Sequence, residues 1–123
     1  MQDLAFSTDL AHHTVITDGD GAKGASPVQL LAVALAGCMG ADVALVLTRG
    51  RQPMRALEVR LSADRADADP HRFVAVRIHF TVTGAVNPSQ LARAIALSHE
   101  KYCSVWHSLR PDLPLALTSS IEA

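Results

Sequence analysis

The chain holds two cysteines, Cys38 and Cys103. A lone pair of thiols is either two small core hydrophobes or a redox pair in which one sulfur attacks and the other resolves. Cys38 lies in "LLAVALAGCMGADVALVL", residues 30–47, where the only charge is Asp42. Desolvation in such a stretch opposes the thiolate, so Cys38 can react only if a cation or a hydrogen-bond donor reaches it. Cys103 follows "SHEKY", at the C-terminal end of a helix, where the partial negative charge also disfavours a thiolate. A less acidic thiol suits the resolving role. Asp42 sits four residues beyond Cys38, on the same helical face. It reads as a partner at a subunit interface, an acceptor for an arginine, or a buried structural carboxylate.

The stretch "HEKYCSVWH" spaces His99, Cys103 and His107 by four. On a continuous helix they would share a face, and with Cys38 they would make a zinc site. A new turn starting after Cys103 breaks that alignment, leaving His99 and His107 as ordinary surface residues. Asp42, His99 and Glu100 remain candidates for the groups that surround the thiols. His12 and His13 point to opposite faces of a strand and chelate poorly. His71 falls in a turn, and His79 lies on a polar strand face. No Ser-His-Asp order, phosphate loop or nucleotide fingerprint appears; the glycines of "GDGAKGASP", 19–27, do not have phosphate-loop spacing.

These residues need elements to position them. Ser26-Pro27 starts a helix, serine capping and proline fitting the first turn. That helix runs to about Thr48 and stops near Gly50. A helix apolar on every side must be buried on every side, and 123 residues cannot sheath it alone. A second subunit is therefore expected to cover the far face. At 1.5 Å per residue, residues 27–47 would span about 32 Å, the thickness of a bilayer core. Asp42 inside the run, the many alanines and glycines, and the missing aromatic belt favour a core helix over a membrane span.

"RALEVRLSADR", 55–65, and "FVAVRIHFTVTG", 73–84, alternate apolar and polar residues and predict an antiparallel hairpin. In "NPSQLARAIALSHEKY", 87–102, Asn87 caps, Pro88 takes the first turn and Gln90 stands where a capping box wants it. Leu91, Ala94, Ile95 and Ser98 form its inner face. A short helical piece at 104–110 ends at Pro111, and "LPLALTSSIEA" closes as a strand. Two weaker strands fall at about 3–7 and 12–17. The sum is one α+β domain over residues 1–123, with an antiparallel sheet, a long buried helix and an amphipathic one.

Net charge is −1, so no strong field draws nucleic acid or an anionic membrane. The basic residues, nine arginines among 11, are scattered. Residues 1–10 lack the basic start and apolar core of a secretory signal, and two cysteines make no disulfide framework. A reducing cytoplasmic compartment is the expectation.

The segments "SPVQLLAVALAGCMGADVALVL", "RGRQPMRALEVRLSADR", "RFVAVRIHFTVTG" and "LARAIALSHEKYCSVWHSL", in this order, resemble the OsmC/Ohr family of osmotically inducible and organic-hydroperoxide-resistance proteins, in particular its shorter OsmC-like subgroup. The resemblance covers about residues 11–121. It implies an intertwined homodimer built on two long central helices, with active sites at the interface. It implies that Cys38 is the peroxidatic cysteine, oxidised to a sulfenic acid by an organic hydroperoxide, and that Cys103 closes a disulfide with it. A dithiol reductant, often of lipoyl type, then restores the pair, and no cofactor is implied. The hydroperoxide-reducing members carry an N-terminal arginine and, just after the proline that opens the long helix, a glutamate. Residues 1–48 here hold no arginine, Lys23 is their only full cation, and Val28 stands at the glutamate position. Without that clamp, burial is expected to raise the Cys38 pKa, unless His12, His13 or a partner's arginine substitutes.

The favoured reading is thiol-dependent reduction of organic hydroperoxides by Cys38 and Cys103. The alternatives are a non-catalytic dimer of the same fold that binds a small apolar ligand at the interface, and a zinc-binding structural dimer.

Overall fold

The computed structural model describes residues 3–123. They form two compact units, one ending at Val33 and one spanning Ala34–Ala123. The first carries an antiparallel hairpin, β1 (Ala5–Leu10) and β2 (His13–Asp18). The turn between them places Ala11 at φ 44°, and both strands sit slightly later than the alternation predicts. Behind β2, the buried Asp18 carboxylate accepts the backbone N–H groups of Asp20 and Lys23 at 2.8 and 2.9 Å. This ties down the glycine-rich loop that leads to the long helix.

Helix α1 is Pro27–Arg49. Ser26 and Gln29 cap it reciprocally: the Ser26 hydroxyl accepts from the Gln29 N–H and the Gln29 side-chain oxygen from the Ser26 N–H. Its buried side chains recur every fourth residue at Leu35, Met39, Val43 and Leu47. A single stripe of an all-round apolar helix is thus covered within the chain; Leu31, Val33 and Leu45 are 39%, 62% and 47% exposed. By length and composition α1 is also apolar enough to cross a membrane.

In the second unit, β3 (Met54–Arg65) and β4 (Phe73–Gly84) pair as the expected antiparallel hairpin. The third strand, β5 (Leu115–Glu122), lies on the other side of β4 and runs parallel to it. The sheet is therefore mixed rather than wholly antiparallel. The physical reason is the connection: the chain leaves β4, crosses over through helices and re-enters from the same end, which a tight hairpin turn cannot do. Val76, Ile78, Phe80 and Val82 of β4 pack with the α1 stripe into one core. Gly40 lets α1 approach the sheet, since a Cβ there would meet the Val59 Cγ2 at 3.0 Å.

Helix α2 is Pro88–Leu97, and it buries Leu91, Ala94 and Ile95. Asn87 caps it as expected, but Gln90 does not close a capping box. The Asn87 side chain accepts from the Ser89 N–H, and the Asn87 N–H is taken by the Gln52 side chain at 2.9 Å. The helix then widens into one π-turn, Ser98–Tyr102, closed by a Cys103 N–H to Ser98 carbonyl bond of 2.8 Å. Cys103 is extended (φ −72°, ψ 100°), and a new short helix, α3 (Ser104–His107), begins after it.

Candidate functional site

The two cysteines come together at this junction, Cys38 from α1 and Cys103 from the junction itself. Cys38 projects from α1 beside the buried stripe and is half-buried; Cys103 is fully buried. The Cys38 Sγ, the Cys103 Sγ and an Asp42 carboxylate oxygen all lie within 4.8 Å of one another. The two sulfurs are therefore near neighbours, although neither is bonded to the other. Sixty-five residues of sequence are closed by packing α1 and the α2–α3 junction into one core.

The π-turn and the chain break after it decide how Cys103 is presented. Its N–H is spent on Ser98, while its sulfur caps α3, accepting the Trp106 N–H at 3.3 Å. The expectation of a thiol at a helix C-terminus is therefore half the picture, because the same residue also opens the next helix. Burial nevertheless dominates. It pushes the Cys103 thiol up to about 11, the Trp106 N–H opposing it and the Cys38 sulfur and Asp42 carboxylate adding to it.

Cys38 goes the other way. Burial pushes its pKa up, but it is outweighed by the Val105 N–H, the Cys103 thiol and the Ser104 hydroxyl, all donating to the sulfur, so the pKa falls below the ordinary value. The Asp42 charge opposes this. The Ser104 Oγ lies 3.8 Å from the Cys38 Sγ. The expected rise from a missing arginine is thus corrected: the Val105, Cys103 and Ser104 donors outweigh burial without a cation. His12 and His13, the proposed substitutes, are exposed at the β1–β2 turn.

Asp42 joins the thiols, its Oδ2 accepting the Ser98 hydroxyl at 2.8 Å. His99 and Glu100 do not. The His99 ring packs against Trp106 with centroids 5.6 Å apart, and Glu100 is exposed. The break at Cys103 also prevents His99, Cys103 and His107 from sharing one helical face, as the short piece after Cys103 predicts. Ser104 and the Val105 and Trp106 amides are donors that the sequence pattern does not reveal. The one signal available was that a short helix starting just after a cysteine leaves its first N–H groups free. A cavity of about 490 Å³ beside Asp42 is lined by Leu45, Val46, Leu97, Arg49 and Arg93.

An α+β fold that holds two thiols of unequal acidity beside a carboxylate defines a dithiol protein. The chain belongs to the OsmC-like protein family, whose model matches residues 19–118. It is 40% identical over 112 residues to Protein YhfA of Escherichia coli K12, covering 89% of this chain and 82% of that one. It is similar to a hypothetical protein of Aquifex aeolicus VF5 (27% identity, TM-score 0.90), with 97% of this chain and 88% of that one covered. It also shares its fold with a Legionella pneumophila protein named as an organic hydroperoxide resistance protein (17% identity, TM-score 0.66), with 98% and 97% covered.

Proposed function

We propose that the protein is a thiol-dependent reductase of organic hydroperoxides, working as a homodimer in a reducing cytoplasm. The observation that carries this is a half-buried Cys38 and a buried Cys103 whose sulfurs lie within 4.8 Å, the Cys38 pKa lowered and the Cys103 pKa raised. The Cys38 thiolate attacks the terminal peroxide oxygen. The O–O bond breaks, an alcohol leaves with a proton, and Cys38 becomes a sulfenic acid. The Cys103 sulfur then attacks the Cys38 sulfur, a disulfide forms and water departs. An external dithiol, lipoyl-type or similar, accepts oxidation in turn and returns both thiols.

Leu45, Val46 and Leu97 beside Asp42 support an apolar substrate, since each methylene buried against them contributes about 0.8 kcal/mol. The uncovered apolar residues of α1 support a second copy over that helix. Leu35→Asp, which puts an unpaired charge into the chain's own core, is expected to prevent folding.

The test is a thiol count on the reduced protein before and after a slight excess of cumene hydroperoxide. Loss of two thiols per chain, restored by dihydrolipoamide, is the expected result. Two thiols that persist for an hour would overturn the enzyme reading in favour of an apolar-ligand-binding dimer.

A further inference from the structure

We propose that Cys38, Asp42 and Cys103 form a reversible site for a thiophilic divalent cation of the zinc type, which holds the thiol pair reduced and unreactive until it is removed. This concerns the thiols of the peroxide reading but does not require that they react with peroxide.

The donor set carries the proposal. Two sulfurs and one carboxylate oxygen lie within 4.8 Å of one another. Zinc binds thiolate at about 2.3 Å and carboxylate at about 2.0–2.2 Å, and a tetrahedral centre sets two sulfurs about 3.8 Å apart. The cluster therefore closes on a cation by movements of about 1 Å or less. Two soft thiolates select zinc over magnesium or calcium, which call for six or more oxygens. Three protein ligands leave the fourth corner for water.

The surroundings orient these donors as a metal site requires. Cys38 and Asp42 are spaced i, i+4 on α1, one turn apart on one face, which is a recurrent spacing for paired helical ligands. The Ser98 hydroxyl holds the Asp42 carboxylate by its 2.8 Å bond. The Trp106 N–H and the Ser104 hydroxyl fix the two sulfurs. The set is also electrostatically incomplete by itself. With both thiols ionised, three negative charges would crowd within 4.8 Å of one another. A dication relieves that repulsion. Binding expels the protons of the ligating thiols, up to two per metal at neutral pH, so affinity rises with pH.

Once ligated, each sulfur shares its lone pair with the metal and attacks more slowly. Once the cation is removed, one hydroperoxide takes two electrons from the two thiols and gives an alcohol, water and the disulfide, whose sulfurs no longer ligate.

Cobalt(II) is the probe. The reduced full-length protein should bind one cobalt per chain, with a sulfur-to-metal charge-transfer band and tetrahedral visible bands, both abolished by zinc. Cys38→Ser and Cys103→Ser should each remove most of the charge-transfer band. Asp42→Asn should weaken binding by about tenfold or more. The unsubstituted chain supplies an independent readout: one equivalent of zinc should slow iodoacetamide labelling of Cys38 at least about tenfold, and a chelator should restore it. A missing charge-transfer band, or labelling indifferent to zinc, overturns the proposal. Protein inert to hydroperoxide that still gives the band removes the peroxidase reading and upholds the site. Full hydroperoxide turnover in excess zinc does the reverse.

Discussion

The middle of α1 and the junction between α2 and α3 each present one thiol, and the two thiols behave oppositely. Cys38 stands in the most apolar stretch of the chain, yet its pKa is lowered; Cys103 follows a polar segment, yet its pKa is raised to about 11. Local composition would rank them the other way round. A thiol's acidity is set by the donors aimed at its sulfur and by its depth, not by the side chains beside it in sequence. The sulfur of Cys38 faces the open first turn of α3 and collects two donors there as well as the Cys103 thiol. Cys103 caps that same helix, but it is fully buried and its neighbour's sulfur and Asp42 both resist its ionisation.

The largest way to break this comparison is to remove one sulfur at a time. Cys38→Ser is expected to abolish hydroperoxide turnover completely, measured with a coupled dithiol assay. Cys103→Ser is expected to stop turnover after a single event per chain. Equal residual activity in the two variants would show that the thiols are interchangeable.

Next in size is the donor that sets Cys38 apart. Val105→Pro deletes the N–H facing the Cys38 sulfur at a position in the first turn of α3, where proline fits. The rate of Cys38 alkylation at pH 7 should fall about tenfold, the effect of one pKa unit. An unchanged rate would mean that the amide does not activate the thiol.

The pH profile sharpens the contrast without substitution. Because its pKa is lowered, Cys38 should reach half-maximal alkylation below pH 9.0, and Cys103 near pH 11. Mass spectrometry of each peptide reads the two separately. An unfolded thiol ionises near 9, so the raised Cys103 value also makes the reduced fold lose stability as pH climbs from about 9 towards 11. Smaller still is Asp42→Asn. Removing the carboxylate charge should lower both thiol pKa values and speed Cys38 alkylation at pH 7 by about two- to fivefold. A slower rate would show that Asp42 assists the thiolate instead.

The elements of this fold are legible because each follows a local rule. The β3–β4 hairpin alternates with period two, α1 opens on a serine-proline start, and α2 carries its inner face at Leu91, Ala94, Ile95 and Ser98, all of which are buried. The parallel direction of β5 is not legible, because it depends on the path of the crossover rather than on the strand's own residues. At the site, the proximity of Cys38 and Cys103 is implied by family resemblance and not by periodicity. The activation of Cys38 is hidden for a further reason. Its donors include a backbone amide, Val105, that every residue but proline possesses, and its placement rests on a π-turn that no residue in "SHEKY" announces. Asp42 is visible as a charge on an apolar face; that Ser98 would hold it is not, although a serine on the buried stripe of α2 needs some polar partner.

Peroxide reduction by this pair turns on which sulfur meets the peroxide first. The most direct measurement treats Cys103→Ser and Cys38→Ser separately with one equivalent of cumene hydroperoxide in the presence of dimedone, and locates the adduct by peptide mass spectrometry. A dimedone-labelled sulfenic acid is expected on Cys38 in the Cys103→Ser protein and none on Cys103 in the Cys38→Ser protein. An adduct on Cys103 with Cys38 unlabelled, or no adduct in either protein, would contradict the assignment of Cys38 as the attacking thiol.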